Sequence, residues 1–587
     1  MPVGHLGDMR ALFEGIPLER MNTSMTINAP AAWLLALYVS LAEEQGADPK
    51  KLTGTTQNDI LKEYLSRGTY IFPPAPSLKL TADTIAWSLD AIPKWNPMNV
   101  CSYHLQEAGA TPEQELAFAL AAAIAVLDEV KARGEISSAR FSDVFSRISF
   151  FVNAGLRFIT ETCKMRAFNL LWDELGRERY GVTDERARRF RYGVQVNSLG
   201  LTEPQAENNV YRILLETLAV TLSKNARARA VQLPAWNEAL GLPRSWDQQW
   251  SIRLQQVLAY ETDLLEFEDI FDGSKVIEAK VAELAEGARA ELKRIEAAGG
   301  AAAALETLKS ALVESNRRRT EAVERGEIKV VGVNCFTEAE PSPLEAGEKN
   351  IQTVDLSVEA EQIARLKAWR AARDNATAAA ALTALEADAR ADRNIMPASI
   401  EAAKAGVTTG EWAAALRKVF GEYRGPTGVA LVIDSGGEDL DAVKADVAAL
   451  SEKLGRQLTF LVGKPVLDGH SNGAEQIAAR GRAAGMNVIY EGIRLTPAEI
   501  VAAAKANKAH AVGLSILSGS HLDLVQDVVR LMRAEGLDNV PLVVGGIIPP
   551  ADAMALKQMG VAGVYTPKDF RITQIMGNVV KLVAAKA

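Results

Sequence analysis

The chain reads as an α/β protein built from a TIM-type (β/α) barrel followed by a doubly wound α/β domain, on two observations. Between Asn22 and Glu261, short apolar or β-branched runs alternate with longer helical patterns. Successive runs end about 30 to 50 residues apart, the period of β-then-helix units. From Gly428 the pattern changes to short strands alternating with helices, and one strand-to-helix loop carries Asp468-Gly469-His470 at its tip.

The first part contains seven strand candidates, at 22–27, 52–57, 99–104, 147–152, 192–197, 228–233 and 255–261. Amphipathic stretches such as 59–66, 112–133 and 205–223 follow most of them. Seven units favour a barrel over an open sheet, one short of the eight that such a barrel needs. Polar residues gather near the strand ends, where barrel enzymes place their chemistry: Ser24 and Thr26, Thr55 and Gln57, Tyr103 and His104, Ser149, Gln195, Gln232 and Glu261. Residues 275–325 and 355–423 are rich in Ala, Glu and Arg at helical spacing, with Pro341-Ser342-Pro343 as a break between them. Strands are expected at 429–433, 458–462, 487–490, 511–514, 542–544 and 563–565. The expected division is a barrel over 1–345, a helical connector over 346–425 and the second α/β domain over 426–587.

A chain of 587 residues is too long for one core. Its 65 basic and 74 acidic residues give a net charge of −9 with no basic block, which argues against nucleic acid and anionic membrane as partners. Cys101, Cys163 and Cys335 form neither a CxxC pair nor a disulfide framework, which points to a reducing, cytoplasmic setting. Residues 1–20 lack the basic and apolar pattern of a signal peptide, and apolar runs such as 118–127 are too short to span a bilayer. Metalloprotease, P-loop, nucleophile-elbow and dinucleotide motifs are all absent from the sequence.

The stretch 462–474, Val-Gly-Lys-Pro-Val-Leu-Asp-Gly-His-Ser-Asn-Gly-Ala, lies between an apolar run and an amphipathic one. Asp468-Gly469 is turn chemistry, and it presents His470 above the carboxyl end of a parallel sheet. A neutral imidazole there is a good transition-metal ligand, and Asp468 can take its other ring proton. Asp468-x-His470-x-x-Gly473, with Lys464 before it and Ser515-x-Leu517 and Gly545-Gly546 on later strands, resembles the cobalamin-binding domain of adenosylcobalamin mutases. In that family the domain is flavodoxin-like and the His is the lower cobalt ligand, so the resemblance implies His470 as the metal ligand. It also implies Lys464, Asp468, Gly473, Ser515, Leu517, Gly545 and Gly546 as cofactor contacts.

The stretch Tyr103-His104-Leu105-Gln106-Glu107-Ala108-Gly109 carries a histidine at the end of an expected strand, and the whole chain has only five. It resembles the barrel of the methylmalonyl-CoA mutase family, whose active-site His hydrogen-bonds the thioester carbonyl. Thr55-Thr56-Gln57-Asn58-Asp59 resembles the family's substrate-contacting segment. In Arg67-Gly68-Thr69-Tyr70, the Arg corresponds to the one that clamps the substrate's free carboxylate. The resemblance further implies Ser24 and Thr26 at the acyl-CoA, Arg147 and Ser149 at coenzyme A, and Gln195 and Glu261 near the corrin and adenosyl ribose. It implies adenosylcobalamin as cofactor, a radical rearrangement of an acyl-CoA, a homodimer and a GTPase cobalamin chaperone. The segments 99–102, 195–200, 232–237 and 565–570 resemble the ethylmalonyl-CoA branch of the family more than the methylmalonyl-CoA branch. Family members carry a first barrel strand before the point matching Met1. The expectation is therefore an upstream start, with a non-catalytic cobalamin-binding subunit as the alternative.

Overall fold

The computed structural model describes residues 2–340, 357–429, 438–465, 471–517 and 521–586. Asp468, Gly469 and His470, the 430–433 part of one expected strand, and Pro341-Ser342-Pro343 lie outside the described residues. The strands are β1 (Asn22–Met25), β2 (Thr53–Thr56), β3 (Trp95–Asn96), β4 (Met98–Cys101), β5 (Ile148–Ala154), β6 (Tyr192–Val196) and β7 (Ala230–Gln232), followed by β8 (Thr459–Gly463), β9 (Asn487–Tyr490), β10 (Ala511–Ser515), β11 (Leu542–Gly545) and β12 (Gly563–Tyr565). Every described strand pairing is parallel.

In the first part the sheets run β1-β2-β3 and β4-β5-β6-β7. They meet where the Asn99 N–H donates to the Gln57 carbonyl at 2.8 Å, so β4 continues the wall begun by β2. No described pairing joins β7 to β1, and a closed barrel is not seen among the described residues. Residues 255–261, expected as a strand, instead belong to the Ser245–Tyr260 helix and its cap. Trp246, Trp250, Leu254, Val257 and Leu258 recur at helical spacing, and a window of a few residues is too short to show that period. The two-residue strand β3 was not expected. His104 does not end a strand: β4 stops at Cys101 and a short Tyr103–Glu107 helix carries it. Arg147 likewise ends the Phe141–Arg147 helix rather than opening β5.

The Pro112–Arg133 helix shows why these segments hold. The Thr111 hydroxyl accepts from the Gln114 N–H (3.2 Å) and the Gln114 side chain accepts from the Thr111 N–H (3.0 Å), a reciprocal cap with Pro112 at the first helical position. Its apolar face packs with the Phe158–Glu178 and Lys275–Ala297 helices over β4, β5 and β6. Aromatic pairs such as Phe145 on Trp172 (4.2 Å) and Phe168 on Phe190 (5.2 Å) sit within that core. A second core joins the Ala31–Glu44 helix to the Asn375–Arg390, Met396–Lys404 and Thr409–Phe420 helices, with Trp33 and Trp412 stacked at 5.9 Å.

The C-terminal sheet has the order β12-β11-β10-β8-β9. Counted within the sheet this is 2-1-3-4-5, the flavodoxin-like order, with its switch point between β8 and β10. Phe460 and Val462 enter the core on one face while Leu461 enters the core on the other, the alternation a pleated strand imposes. The Leu305–Glu324 helix is shared by both parts. It holds the Asn472–Ala483 helix through Lys309–Glu475 (2.6 Å) and Arg480–Glu321 (3.0 Å), and Gln476 donates to the Val313 carbonyl at 3.1 Å.

Candidate functional site

The carboxyl ends of β2 and β4 converge on one buried polar network. Gln57 follows β2 and is 5% exposed; Asn28, in the loop after β1, donates to its Oε1 at 2.8 Å. The chain then enters a turn that ends in a π-helix, Glu63–Arg67, which brings Lys62, Glu63 and Arg67 back over the strand ends. Lys62 Nζ lies 2.8 Å from Glu63 Oε1, 3.0 Å from Gln57 Oε1 and 2.9 Å from His104 Nδ1. On the opposite ring nitrogen, Arg67 Nη1 stands 2.6 Å from His104 Nε2. Tyr103 lies against the His104 ring at 3.8 Å between centroids, with its hydroxyl at Gln57. Burial raises the Tyr103 phenol above its usual range and keeps it a hydrogen-bond donor.

Carboxylates tie this network to the strands. Asp59 accepts from the Cys101 N–H at 2.8 Å, and burial pushes its carboxyl up to about 6 against the opposing pull of Lys62. Glu115 accepts from the Ser102 hydroxyl (2.7 Å), the Asn153 N–H (3.1 Å) and Lys164 (2.6 Å), pinning the ends of β4 and β5 together. Burial raises its carboxyl too. Arg67 Nε is buried without a hydrogen-bond partner among the described residues. An orphaned guanidinium N–H of this kind is suited to an incoming carboxylate.

At the amino ends of the next three strands stand three arginines. Arg147, Arg191 and Arg229 immediately precede β5, β6 and β7. Arg191 is pushed down to about 10, first by burial and then by the Arg229 and Arg147 charges. Arg147 donates to the Trp95 carbonyl (3.1 Å), and the Ser149 hydroxyl bonds Asn99 (2.9 Å). Three mutually repelling cations held at the amino ends of three adjacent strands suit a multiply charged anion.

In the C-terminal part, the loops after β8 and β10 flank the switch point. Lys464 is fully buried and its Nζ donates to the Ser515 carbonyl at 3.3 Å. Leu517 lies just beyond β10 and is half-buried. Among the described residues, a Cβ at Gly473 would meet only Ser515 Oγ, at 3.6 Å, and one at Gly545 only the Tyr565 carbonyl oxygen, at 3.9 Å. Among the described residues these two glycines therefore leave open space above the strand ends. Gly546 serves the backbone instead: any side chain there would overlap the Ile516 carbonyl. An open cradle, a buried lysine and backbone groups at a switch point fit a large, partly polar cofactor such as a corrinoid. Asn472 Nδ2 donates to the Glu107 carbonyl at 2.9 Å, so the Asn472–Ala483 helix touches the helix that carries His104.

Of the residues expected at the site, Gln57, Arg67, Tyr103 and His104 come together, and Thr55 lies beside them on β2, accepting from Asn96 at 3.3 Å. Ser24 and Thr26 are exposed at the end of β1, with Ser24 in register with Thr55. Gln195 sits on β6 opposite Asn153. Glu261 is exposed at the carboxyl cap of the Ser245–Tyr260 helix, and no described hydrogen bond or ion pair joins it to the His104 network. Sequence reasoning missed Asn28, Lys62, Glu63, Arg191 and Arg229. The two arginines had a signal: each directly precedes a strand, as Arg147 does.

A sequence profile described as methylmalonyl-CoA mutase matches residues 1–422, and one described as B12 binding domain matches residues 458–569. An ethylmalonyl-CoA mutase from Cereibacter sphaeroides is 65% identical over 583 residues, 99% of this chain and 89% of that protein. One from Methylorubrum extorquens is 64% identical over 99% of this chain and 85% of its own length. The methylmalonyl-CoA mutase of Escherichia coli is 35% identical over 95% of this chain and 78% of its own length. The His104 network, the open cradle at the switch point and these matches agree: the chain belongs to the methylmalonyl-CoA mutase family.

Proposed function

We propose that this chain is an adenosylcobalamin-dependent carbon-skeleton isomerase that converts ethylmalonyl-CoA to methylsuccinyl-CoA. The single observation carrying the substrate is the identity of 65% to an ethylmalonyl-CoA mutase against 35% to a methylmalonyl-CoA mutase, each over nearly the whole chain. A pocket accommodating one extra methylene is worth only about 1–3 kcal/mol, so methylmalonyl-CoA is the competing substrate.

The network gives each group a task. Arg67, whose Nε has no partner among the described residues, pairs with the substrate's free carboxylate. His104 donates to the thioester carbonyl as the acyl group migrates, and Tyr103 and Gln57 hold the ring and line the pocket. Ser24, Thr26 and Thr55 contact the acyl-CoA chain. Arg147, Arg191, Arg229 and Ser149, at the amino ends of the strands, receive the phosphates of coenzyme A. The strands of the first part form the wall of a TIM-type barrel with the thioester near its axis. Lys464, Gly473, Ser515, Leu517, Gly545 and Gly546 hold the cofactor, with Gln195 and Glu261 on its barrel side. His470 is its metal ligand, and Asp468 orients that histidine. When bound, adenosylcobalamin supplies the organic radical that removes a hydrogen atom from the substrate. The protein's contribution is to orient the acyl group and exclude water. The domain limits that fit this reading are 1–345, 346–425 and 426–587. A homodimer and a GTPase chaperone for cofactor loading belong to it as well.

The test is to incubate the chain with adenosylcobalamin and offer ethylmalonyl-CoA and methylmalonyl-CoA separately. Preferential formation of methylsuccinyl-CoA supports the reading. Preferential succinyl-CoA moves the chain to the methylmalonyl-CoA branch, and cofactor binding without either product makes it a non-catalytic cobalamin protein.

A further inference from the structure

His104 stands between two cationic donors, and that arrangement has a chemical consequence. A neutral imidazole has one N–H and one acceptor nitrogen, so it can accept from only one of them. The guanidinium of Arg67 donates at Nε2 (2.6 Å) and the ammonium of Lys62 donates at Nδ1 (2.9 Å). Both donors cannot be satisfied by the same neutral ring.

The surroundings decide which donor stays. Lys62 is 2% exposed, and its ammonium meets three acceptors: Glu63, Gln57 and His104 Nδ1. Asn28 in turn fixes two of them, donating to Gln57 Oε1 (2.8 Å) and Glu63 Oε1 (2.7 Å). Moving Lys62 would strip its buried ammonium of these partners and leave the Glu63 carboxylate without its counter-charge. Arg67 is only half-buried, closes a π-helix and carries an Nε without a hydrogen-bond partner among the described residues. It is the donor that can leave, and a carboxylate offers its planar fork a two-oxygen partner.

We propose that Lys62 is a positioning residue. Once a substrate's free carboxylate draws Arg67 off the ring, Lys62 alone donates to Nδ1 and fixes the His104 proton on Nε2, facing the acyl group. The free carboxylate and the thioester carbonyl are then read together, because engagement of the first prepares the donor for the second. This rests on the substrate reading above. It adds a reason why thioesters lacking a second carboxylate are not activated even when they bind.

The experiment uses the full chain labelled with 15N-histidine and free of cobalamin, so that no turnover occurs. Ring-nitrogen shifts report the tautomer, and His104→Gln identifies the His104 signals among five histidines. With saturating ethylmalonyl-CoA, His104 is expected to be protonated on Nε2, whereas butyryl-CoA leaves the ligand-free pattern unchanged. Lys62→Met, and the double variant Lys62→Met/Glu63→Gln that also removes the Glu63 charge left without its partner, are expected to lose the fixed Nε2 proton. In the cofactor-loaded enzyme the same variants lower kcat about 10–100-fold, the scale of one hydrogen bond to a charged group, with KM held within about twofold. Bound ethylmalonyl-CoA with the proton on Nδ1, or the same tautomer with and without Lys62, overturns the proposal alone. Failure of ethylmalonyl-CoA to bind overturns the substrate reading and this proposal with it.

Discussion

Two residues of the network answer to different measurements. Arg67 is poised for a charge-assisted pair, and such a bond contributes about 1.5–3 kcal/mol. Arg67→Met is therefore expected to lower kcat/KM for ethylmalonyl-CoA about 10–100-fold while leaving binding of butyryl-CoA unchanged. Equal losses for both thioesters would move Arg67 away from the carboxylate. Asp59 works through stability. Its carboxyl rises to about 6 on folding because burial penalises the charge, so between its unfolded value near 4 and pH 6 the folded state binds the extra proton. Stability then falls as pH rises through that window, by up to about 3 kcal/mol from this group alone. Asp59→Asn keeps an acceptor for the Cys101 N–H and removes the ionisation. Urea denaturation is expected to show the variant gaining on the wild type from pH 4 to pH 7; parallel pH curves would assign the cost elsewhere.

At the scale of elements, the docking of the Leu305–Glu324 helix on the Asn472–Ala483 helix depends on charges removed from water. Lys309 and Glu475 are both buried at 2.6 Å. Lys309→Met strands Glu475 and is expected to cost about 3–5 kcal/mol in denaturant unfolding, whereas Lys309→Met/Glu475→Leu recovers most of that. Equal losses in the two variants would show that the pair adds net stability. Gly546→Ala probes the end of β11 instead. A methyl group there must displace the Ile516 backbone, and cobalamin binding followed by absorbance should weaken sharply while ethylmalonyl-CoA binding persists. The legibility of elements follows from the same physics. The strands of the C-terminal sheet were evident because both faces are covered, making β8 buried throughout and apolar from Phe460 to Val462. β3 was too short to register, and the Ser245–Tyr260 helix hid its period inside a narrow window. In the site, Gln57, Arg67 and His104 were readable from motifs. Lys62 and Glu63 were not, since a Lys-Glu step usually signals a solvated surface and only the π-helix turn buries it.

At the scale of the molecule, the two halves share struts rather than a loose linker. The Leu305–Glu324 helix bonds the C-terminal part through Lys309, Glu321 and Val313, and it reaches the end of the His104 helix, where the Ser315 hydroxyl donates to the Gly109 carbonyl at 2.6 Å. A second tie runs from Arg494, whose guanidinium lies 5.3 Å from the Tyr70 ring centre, close behind Arg67 in the chain. Gly68 packs so tightly on Ile493 that a side chain there would overlap it, and its φ of +64° already favours glycine. Anything that steadies the C-terminal sheet should therefore steady the His104 network too. A ligand at 100 times its Kd stabilises the folded state by about 2.7 kcal/mol. Hydrogen exchange with and without cobalamin is expected to show slower amides in β8, β10 and β11, and also in the Leu305–Glu324 helix and in the Tyr103–Glu107 helix. Protection confined to the C-terminal sheet would mean that the struts transmit no coupling, and that cofactor binding leaves the substrate groups as they were.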